Sequence, residues 1–396
     1  MPGFELIGDE EFEQVREVFQ KSGILFRHGF DALRHGVYKV RDFEAAFADR
    51  MGVPDALAVT SGTAAVRVAL AALGVGPGDE VVTQSFTFVA TVEAIIEAGA
   101  TPICTEVDDT LNMDPADLQV KITKRTKAII VVHMLGVPAR LDVIAAIAKR
   151  HGVALVEDAA WGCGGTFQGR SLGTVGAAGA FSFDFAKTMT TGEGGMVIFQ
   201  SADVAARARA WHDHGHENNP ALPRWEDSRS DSGFNYRMME LQGAVGLAQL
   251  AKLGRVISAQ RANKGLLRDA TADLPGLSFR TVPEGSEETA DALVFYVADR
   301  ETARACRQAL LAAGLATKIL PEAITWHFVG TWDHMPSLVA AHGGDLSTAF
   351  PASRARLDRS VALPVTVNMA TELPARVRAA LQPILSDAID RQPIRG

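Results

Sequence analysis

One lysine stands in surroundings that suit a nucleophile. Lys187 follows the run FSFDFA and precedes the turn-forming sequence GEGG at 192–195. Burial among apolar groups disfavours the charged amine, so it lowers the pKa of a lysine and favours attack on an aldehyde. A lysine that lays its apolar stem along a loop edge would show the same local composition. The stretch therefore indicates a Schiff-base lysine, with an ordinary loop lysine as the alternative.

Two further stretches carry groups that such a lysine would need beside it. Ser61-Gly62-Thr63 opens a predicted helix that runs to about Leu73, and the free amides and dipole of a helix start suit a phosphate. Asp158 ends a predicted buried strand, where a carboxylate can keep a pyridinium nitrogen protonated. A plain N-cap and a loop-capping Asp are the simpler explanations of each stretch alone. Together the three stretches predict a pyridoxal phosphate site.

Short apolar runs alternate with amphipathic ones between about residues 53 and 200. We predict strands at 80–83, 102–107, 127–132, 153–157, 180–183 and 196–199, and helices at 89–98 and around 141–148. This alternation is typical of βαβ units and predicts a mostly parallel sheet with helices on both faces. Such sheets bind ligands beyond the carboxyl ends of their strands. No GxGxxG motif joins a strand to a helix, so a nicotinamide cofactor is disfavoured.

The remaining sequence suggests two domains. The chain has 396 residues, 47% of them hydrophobic, which is enough for one large and one smaller domain. Residues 212–232 are polar and rich in turn formers, and we interpret them as a long functional loop. A strongly periodic helix is predicted at 238–253. We therefore predict a large cofactor-binding domain at 1–258 and a small C-terminal domain of mixed α and β structure at 259–396.

Charge and cysteine content exclude several functions. The net charge of −8 argues against nucleic acid or an anionic membrane as a partner. The three cysteines are scattered and lack CxxC spacing, which disfavours disulfides or zinc and fits a reducing cytosol. The acidic N-terminus does not resemble a signal peptide, and no apolar run could span a bilayer. We expect a cytoplasmic protein.

The motifs in combination resemble the sugar aminotransferase family, the DegT/DnrJ/EryC1/StrS group, over nearly the whole chain. The matching stretches are TSGTAA, SFTFVATVEAI, VVHMLG, EDAA, GRSLGTVG, FSFDFAK, GEGGMV, DHG and GFNYRMMELQGAVGLAQL. The resemblance implies an α/β fold of the fold type I, aspartate aminotransferase-like class of pyridoxal-phosphate-dependent transferases. It would have a large, mostly parallel seven-stranded sheet domain and a smaller C-terminal α/β domain. The implied reaction transfers an amino group from glutamate or glutamine to a sugar-like carbonyl, with the pyridoxamine form of the cofactor as intermediate.

The resemblance also implies the roles of individual residues. Lys187 would form the Schiff base and act as the catalytic residue together with Asp158, which pairs with the pyridine nitrogen. Phe88 would stack on the cofactor ring, and Asn235 would reach the phosphate of the neighbouring subunit in a homodimer with shared active sites. The full predicted cofactor-binding set is Ser61, Gly62, Thr63, Phe88, Asp158, Trp161, Ser182, Lys187 and Asn235.

Trp161 departs from the family pattern. The family usually has Gln at this position, where it contacts the phenolic oxygen of the cofactor. An indole N–H can donate one hydrogen bond but accepts none, and the ring is much bulkier than an amide. We therefore expect a reshaped pocket.

Four further stretches suggest the acceptor. MPGFELIG, FRHGFD, YKVRDFE and HDHGHE resemble the branch of the family that aminates the C8 carbonyl of an oxidised Kdo-type octulosonate. An acidic sugar needs a cation for its carboxylate. The candidate substrate residues are Arg27, His28, Lys39, His214, His216 and Trp326. No metal is expected, because the alternating histidines of residues 212–216 have neither a cysteine nor a paired carboxylate beside them.

Two alternatives remain open from the sequence. One is a cyclitol aminotransferase or an eliminating pyridoxal enzyme of a natural-product pathway. In the resembled family the dehydratase branch has His in place of the lysine, so Lys187 favours transamination. The other is a regulatory protein that binds the cofactor without turnover, which would be expected to show a DNA-binding motif or a basic patch.

Overall fold

The computed structural model describes residues 2–219, 221–229, 231–321 and 324–390. The predicted loop at 212–232 and the predicted C-terminal domain therefore each extend in part outside the described residues. The strands are β1 (Asp55–Val59), β2 (Glu80–Gln84), β3 (Thr101–Thr105), β4 (Thr126–Val132), β5 (Ala154–Asp158), β6 (Thr166–Phe167), β7 (Arg170–Ser171), β8 (Ala178–Ser182), β9 (Gly195–Phe199), β10 (Ser278–Phe279), β11 (Ser286–Glu287), β12 (Ala292–Tyr296) and β13 (Ser360–Pro364). The helices are α1 (Asp9–Glu17), α2 (Asp31–Arg34), α3 (Lys39–Met51), α4 (Gly62–Ala72), α5 (Val89–Glu97), α6 (Pro115–Lys121), α7 (Leu141–His151), α8 (Ala202–Trp211), α9 (Glu240–Thr271), α10 (Arg300–Ala312), α11 (Pro336–Ala341), α12 (Pro351–Asp358) and α13 (Leu373–Asp390).

A seven-stranded sheet in the order β1-β9-β8-β5-β4-β2-β3 forms the centre of the large domain. The pairs β2–β3, β2–β4, β4–β5 and β5–β8 are parallel, and only the β8–β9 and β9–β1 pairs are antiparallel. The predicted mostly parallel sheet is confirmed. Strand β1 was not predicted, because its five residues contain three short or acidic side chains and lack the β-branched run that marks β2 and β4.

Helices cover both faces of this sheet, as predicted. Successive strand residues point to opposite faces, so Ala56 and Ala58 join one apolar cluster while Leu57 and Val59 join the other. Helices α3, α6, α7 and α9 pack on the first face, and α4, α5 and α8 pack on the second. Both faces are buried, which explains why the strands read as continuous apolar runs.

The strand directions bring the predicted site residues to one edge. Because β1 and β8 both run antiparallel to β9, β1 runs in the same direction as β8 and β5. The carboxyl ends of these three strands therefore lie together. Ser61 follows β1, Asp158 ends β5 and Ser182 ends β8. The sheet thus positions the helix start of α4, the acid and the lysine segment at one edge.

Helix α9 joins the large and small domains without a break. It has 32 residues, and residue 258, the predicted domain boundary, lies inside it. The predicted helix end at 253 is wrong: Gly254 directly follows Leu253, where a glycine often ends a helix, but α9 continues through it to Thr271. Apolar residues on both sides of the boundary stay buried, Leu253 against the sheet cluster and Leu267 against the small-domain cluster.

The small domain has its own sheet and core. Its three strands lie in the order β10-β12-β13, and β12 pairs antiparallel with both neighbours. Helices α10 and α13 pack together on this sheet around a separate apolar cluster. Over the described ranges, no helix is both long and apolar enough to cross a membrane.

Candidate active site

A cavity of 470 Å³ opens at the carboxyl edge of the sheet. All the predicted cofactor residues except Asn235 line it: Ser61, Gly62, Thr63, Phe88, Asp158, Trp161, Ser182 and Lys187. Cavities of this size are typical of cofactor and small-molecule sites. Four segments that are separate in sequence, at 61–63, 88, 158–161 and 182–187, therefore meet in one pocket.

The start of α4 forms a cradle suited to a phosphate. The side chain of Ser61 caps the helix by accepting a hydrogen bond from the amide of Ala64 at 3.0 Å. The amides of Gly62 and Thr63 precede the first intrahelical bond, and the positive end of the helix dipole adds to their pull on an anion. A Cβ on Gly62 would lie 2.7 Å from the Cβ of Ser182. Glycine is therefore required for the close approach of α4 to the end of β8.

Asp158 is a buried acid with two of its acceptor positions already used. Thr91 donates its hydroxyl hydrogen to Oδ2 at 2.8 Å, and the amide of Ala160 donates to Oδ1 at 3.1 Å. Burial raises the pKa of this carboxyl, while these hydrogen bonds and the nearby Lys187 oppose the rise. An acidic N–H at this point, such as that of a pyridinium, would compensate the buried carboxylate. Sequence reasoning did not assign Thr91, although it lies in the matching stretch SFTFVAT.

Lys187 is almost fully buried, and its amine lies on an aromatic face. Burial lowers the pKa of Lys187 to about 8, and the carboxylates of Asp158, Asp291 and Asp184 oppose that shift. Its Nζ lies 3.3 Å from the centroid of the Trp161 ring. An indole face stabilises a nearby cation, which offsets part of the cost of burying the ammonium. A much larger fraction of this amine is thus neutral at physiological pH than of an ordinary lysine, and Lys187 lines the cavity.

Aromatic side chains form the outer wall of the cavity. Phe88 is stacked with Trp326, with 6.4 Å between ring centroids and an interplanar angle of 22°, and it also packs against His327. Phe88 and His327 line the cavity, whereas Trp326 is largely exposed beyond them. Trp326 is therefore the one predicted substrate residue that lies beside this pocket in the same chain.

The other candidate substrate residues lie away from this pocket. Arg27 forms a buried ion pair with Glu44 and donates to the carbonyl of Ala58, and Lys39 binds Gln14 and Glu17 of α1. Arg27 also lines a separate cleft of 510 Å³ together with His28. In one chain these side chains hold the N-terminal segment against the large domain.

The histidines of the 212–216 stretch do not converge on a metal. His216 pairs with Asp227 at 3.1 Å, whereas His214 is exposed. Among the described residues, no cluster of three His, Cys, Asp or Glu side chains could hold a metal ion.

Asn235 and His28 lie together on the surface of the large domain. Asn235 is exposed and forms a backbone bridge with Asp213, whose carboxylate lies 3.2 Å from Nε2 of His28. Burial lowers the pKa of His28 to about 3, and the adjacent Arg27 acts in the same direction. His28 is therefore neutral at physiological pH.

Comparisons with known proteins agree with this geometry. SpsC, a spore coat polysaccharide biosynthesis protein of Bacillus subtilis, is 38% identical over 279 residues, 69% of each chain. GDP-perosamine synthase of Caulobacter vibrioides is 42% identical over 220 residues, which are 55% of this chain and 58% of that enzyme. The solved aminotransferase TlmJ of Streptoalloteichus hindustanus is 28% identical, with a TM-score of 0.82 over 97% of this chain and 98% of its own. The sugar aminotransferase CalS13 of Micromonospora echinospora is 28% identical, with a TM-score of 0.82 over 95% and 97%.

The family assignment rests on the match of nearly the full chain. The model of the DegT/DnrJ/EryC1/StrS aminotransferase family matches residues 7–382. Aminotransferases of this family use pyridoxal phosphate, and the phosphate cradle, buried acid and shielded lysine described above fit that group. The chain therefore belongs to the DegT/DnrJ/EryC1/StrS aminotransferase family and is a pyridoxal-phosphate-dependent aminotransferase.

Proposed function

We propose that this enzyme moves an amino group from glutamate, or glutamine, to a carbonyl of a sugar, and that the acceptor is the C8 aldehyde of an oxidised Kdo-type octulosonate. The observation that carries the proposal is the convergence of Lys187, Asp158 and the start of α4 on one cavity. When bound, pyridoxal phosphate would supply an electron sink for breaking a C–H bond next to nitrogen. Everything else must come from the side chains of this protein.

Lys187 is proposed to attach the cofactor and to carry the proton. With a pKa lowered to about 8 by burial, its amine is a competent nucleophile toward an aldehyde and, when free, a base of matched strength. The face of Trp161 receives the ammonium when Lys187 holds the proton, because Nζ already lies over that ring.

Asp158 is proposed to keep the cofactor ring protonated at nitrogen. Thr91 and the amide of Ala160 fix the orientation of its carboxylate. Because the carboxylate is buried, its interaction with a cationic ring is little screened by solvent. Ser61, Gly62, Thr63 and Ser182 would hold the phosphate, and Phe88 would cover one face of the ring.

The acceptor proposal is supported by segments that lie outside this pocket in one chain. The stretches FRHGFD and HDHGHE, which carry the resemblance to the octulosonate branch, meet where His28 contacts Asp213. Asn235 is exposed at the same place. If Asn235 reaches the phosphate of a second copy, then Arg27, His28 and His214 approach that copy's pocket with it. We therefore propose a homodimer with shared active sites.

We also propose that the enzyme works in the cytoplasm. Its cysteines Cys104, Cys163 and Cys306 are all free and buried. Free thiols are typical of proteins from reducing compartments.

The first experiment is an absorption spectrum of the purified enzyme with pyridoxal phosphate, before and after glutamate is added. We expect a yellow protein whose visible band falls while the band of the amine form rises. If the visible band of a yellow protein falls with glutamine and not with glutamate, then glutamine is the amino donor. A protein that stays colourless with added cofactor would contradict the proposed site.

The acceptor is tested separately with the amine form of the enzyme. Return of the visible band with the C8 aldehyde of an octulosonate, at concentrations where neutral hexose and cyclitol ketones do nothing, would support the proposal. Faster return with a cyclitol ketone would favour the competing cyclitol aminotransferase. Release of product without consumption of amino donor would favour an eliminating enzyme.

A further inference from the structure

An ion pair between Lys318 and Asp291 lies beside Trp161. Lys318 Nζ is 2.5 Å from Oδ1 of Asp291, and both residues belong to the small domain. Asp291 is buried, and neither of its carboxylate oxygens has a partner of hydrogen-bond geometry among the described residues. Lys318 is thus the group that neutralises this acid. Its Nζ also lies 4.9 Å from the centroid of the Trp161 ring, the same indole that receives the Lys187 amine.

The pair lies within electrostatic reach of the reaction centre. Both Asp291 and Lys318 shift the pKa of Lys187, the former upward and the latter downward. The residue after Lys318, Ile319, lines the cavity, as does Trp161. The side chain of Lys318 keeps 16% of its surface exposed. Lys318 itself does not line the cavity, so its link to the cavity is through Trp161 and the adjacent Ile319.

The residues that line the cavity include few positively charged groups. Among the described residues that line it, Lys187 is the only lysine or arginine, and the reaction engages its amine. Asp158, Asp184 and Glu193 also line the cavity and are acidic. An amino-acid donor carries a carboxylate that stays ionised throughout the reaction, and leaving it unpaired among these acids would be costly. Within one chain, a further cation close to Lys187 would pair with this carboxylate, whatever groups a second copy adds to the pocket.

We infer that Lys318 binds a substrate carboxylate beside Trp161, with Asp291 as the counter-ion that holds the lysine in place. An ammonium has three N–H donors, so contact with Asp291 leaves others for a ligand. The inference rests on the proposed function, because it assumes an acidic substrate. The carboxylate belongs either to the amino donor or to the acidic sugar, and the two sources are separable by experiment.

The test uses Lys318→Gln, which removes the charge and keeps the length, and Lys318→Arg, which keeps the charge. We expect Lys318→Gln to weaken binding of glutarate, an unreactive dicarboxylate, by about 10- to 100-fold in calorimetry, the range expected for loss of a charged hydrogen bond. The glutamate concentration that half-saturates loss of the visible band should rise by a similar factor while the limiting rate stays within about twofold. Lys318→Arg should restore most of the affinity. Asp291→Asn should also weaken glutarate binding if positioning of the lysine dominates, because Lys318 then loses the contact that holds it beside Trp161.

Lys264→Gln is the matched control. Lys264 is a small-domain lysine of similar exposure that pairs with Glu288 at 2.6 Å, but it lines a different cleft together with Arg261 and Glu287. The Lys264→Gln substitution should leave the binding of glutarate and of glutamate unchanged. If Lys318→Gln changes half-saturation only for an acceptor aldehyde that carries a carboxylate, the sugar is the source of that carboxylate.

Unchanged half-saturation for both substrates, or a fall in the limiting rate alone with a normal visible band, would overturn the inference. The proposed function fails differently. A wild-type enzyme that binds the cofactor but reacts with neither glutamate nor glutamine would contradict the proposed donors, while glutarate binding to the Lys318 variants would still report on this site.

Discussion

At the scale of single residues, the contact between Lys187 and Trp161 distinguishes this pocket from the usual pattern of the family. The family resemblance places a glutamine at position 161, but the indole here lies against the reactive amine, with Nζ 3.3 Å from the ring centroid. A π face can stabilise the ammonium without accepting a hydrogen bond from it. The amine can therefore lose its proton without breaking a hydrogen bond to Trp161. This contact suits a group that must alternate between nucleophile and acid.

The lowered pKa of Lys187 predicts how reconstitution depends on pH. The proposed attachment of the cofactor aldehyde would need the neutral amine, and a pKa of about 8 makes half of the amine neutral near pH 8. An ordinary lysine, with a pKa of about 10.4, would be less than about one per cent neutral there. Because the shift is downward, the rate of colour formation on mixing apoenzyme with pyridoxal phosphate should rise with pH and level off between about pH 8 and 9.

The control for this measurement is Nα-acetyl-lysine in the same buffers. Its free ε-amine reacts with the same cofactor, so its rate shows how titration of the cofactor itself affects the reaction. An enzyme rate that keeps climbing to pH 10 in parallel with the free amine would show that Lys187 is not perturbed.

Residues inside contiguous motifs were predictable, and residues assembled from distant segments were not. Lys187, Asp158 and Ser61 each carry a local signature of strand end, helix start or apolar flank, and all line the cavity. Lys318 and Asp291 carry no such signature, because their relation to Trp161 exists only once the small domain has folded onto the large one. Spacing along the chain contains no information about such a contact.

At the scale of elements, helices α3 and α9 pack in close contact. A Cβ on Gly243 would lie 2.6 Å from the backbone nitrogen of Val40, and one on Gly246 would lie 2.6 Å from the ring of Phe43. Phe43 is itself fully buried against Phe183, which lies between the end of β8 and Lys187. Two glycines in α9 therefore set how close α3 can approach the lysine segment.

Gly246→Ala is expected to destabilise the protein by about 1–3 kcal/mol, the usual cost of overpacking a core. The substitution would gain up to about 1 kcal/mol of helix propensity, but the new methyl group has no room beside Phe43. Urea unfolding followed by circular dichroism measures the difference.

Gly265→Ala in the same helix is the matched control. A Cβ there meets nothing within 4 Å, so this change should stabilise the protein by up to about 1 kcal/mol. Equal effects of the two substitutions would mean that α3 and α9 are not in tight contact.

Element types were easier to predict than element ends. Strands rich in β-branched residues, such as β4, were predicted to within about a residue. The long extension of α9 was not predicted, because its residues beyond 253 lack a continuous apolar stripe and owe their helicity to contacts with two separate cores.

At the scale of the whole molecule, the important surface is the one that contains Asn235, Asp213 and His28. Asp213 and His28 belong to the segments that carry the resemblance to the octulosonate branch. Asn235 does not line the cavity of its own chain, yet Asp213 connects it to His28. If two copies pair about a twofold axis, each would present this surface to the other's pocket. In that arrangement the proposed homodimer would complete the active site and would not be only a state of assembly.

Mixed dimers of Lys187→Ala and Asn235→Asp provide the test. Each variant alone should be inactive, the first for lack of the amine and the second because a carboxylate would repel the phosphate. In a hybrid dimer with shared sites, one of the two active sites contains both substitutions and the other contains neither. Half of the dimers formed on equal co-expression are such hybrids. Equal co-expression should therefore restore about one quarter of the wild-type activity. No recovery in purified hybrids that carry two different tags would show that each chain builds its site alone.

The unbroken course of α9 limits how the length of this chain can change during evolution. At 1.5 Å per residue its 32 residues extend about 48 Å, from the central sheet into the small domain. One residue added in the middle would turn everything beyond it by about 100° and swing Lys318 and Trp326 away from the pocket. The same addition between Gly343 and Gly344, in an exposed turn, would be absorbed locally. Insertions and deletions should therefore accumulate in such turns, while α9 keeps its length even where its amino acids change.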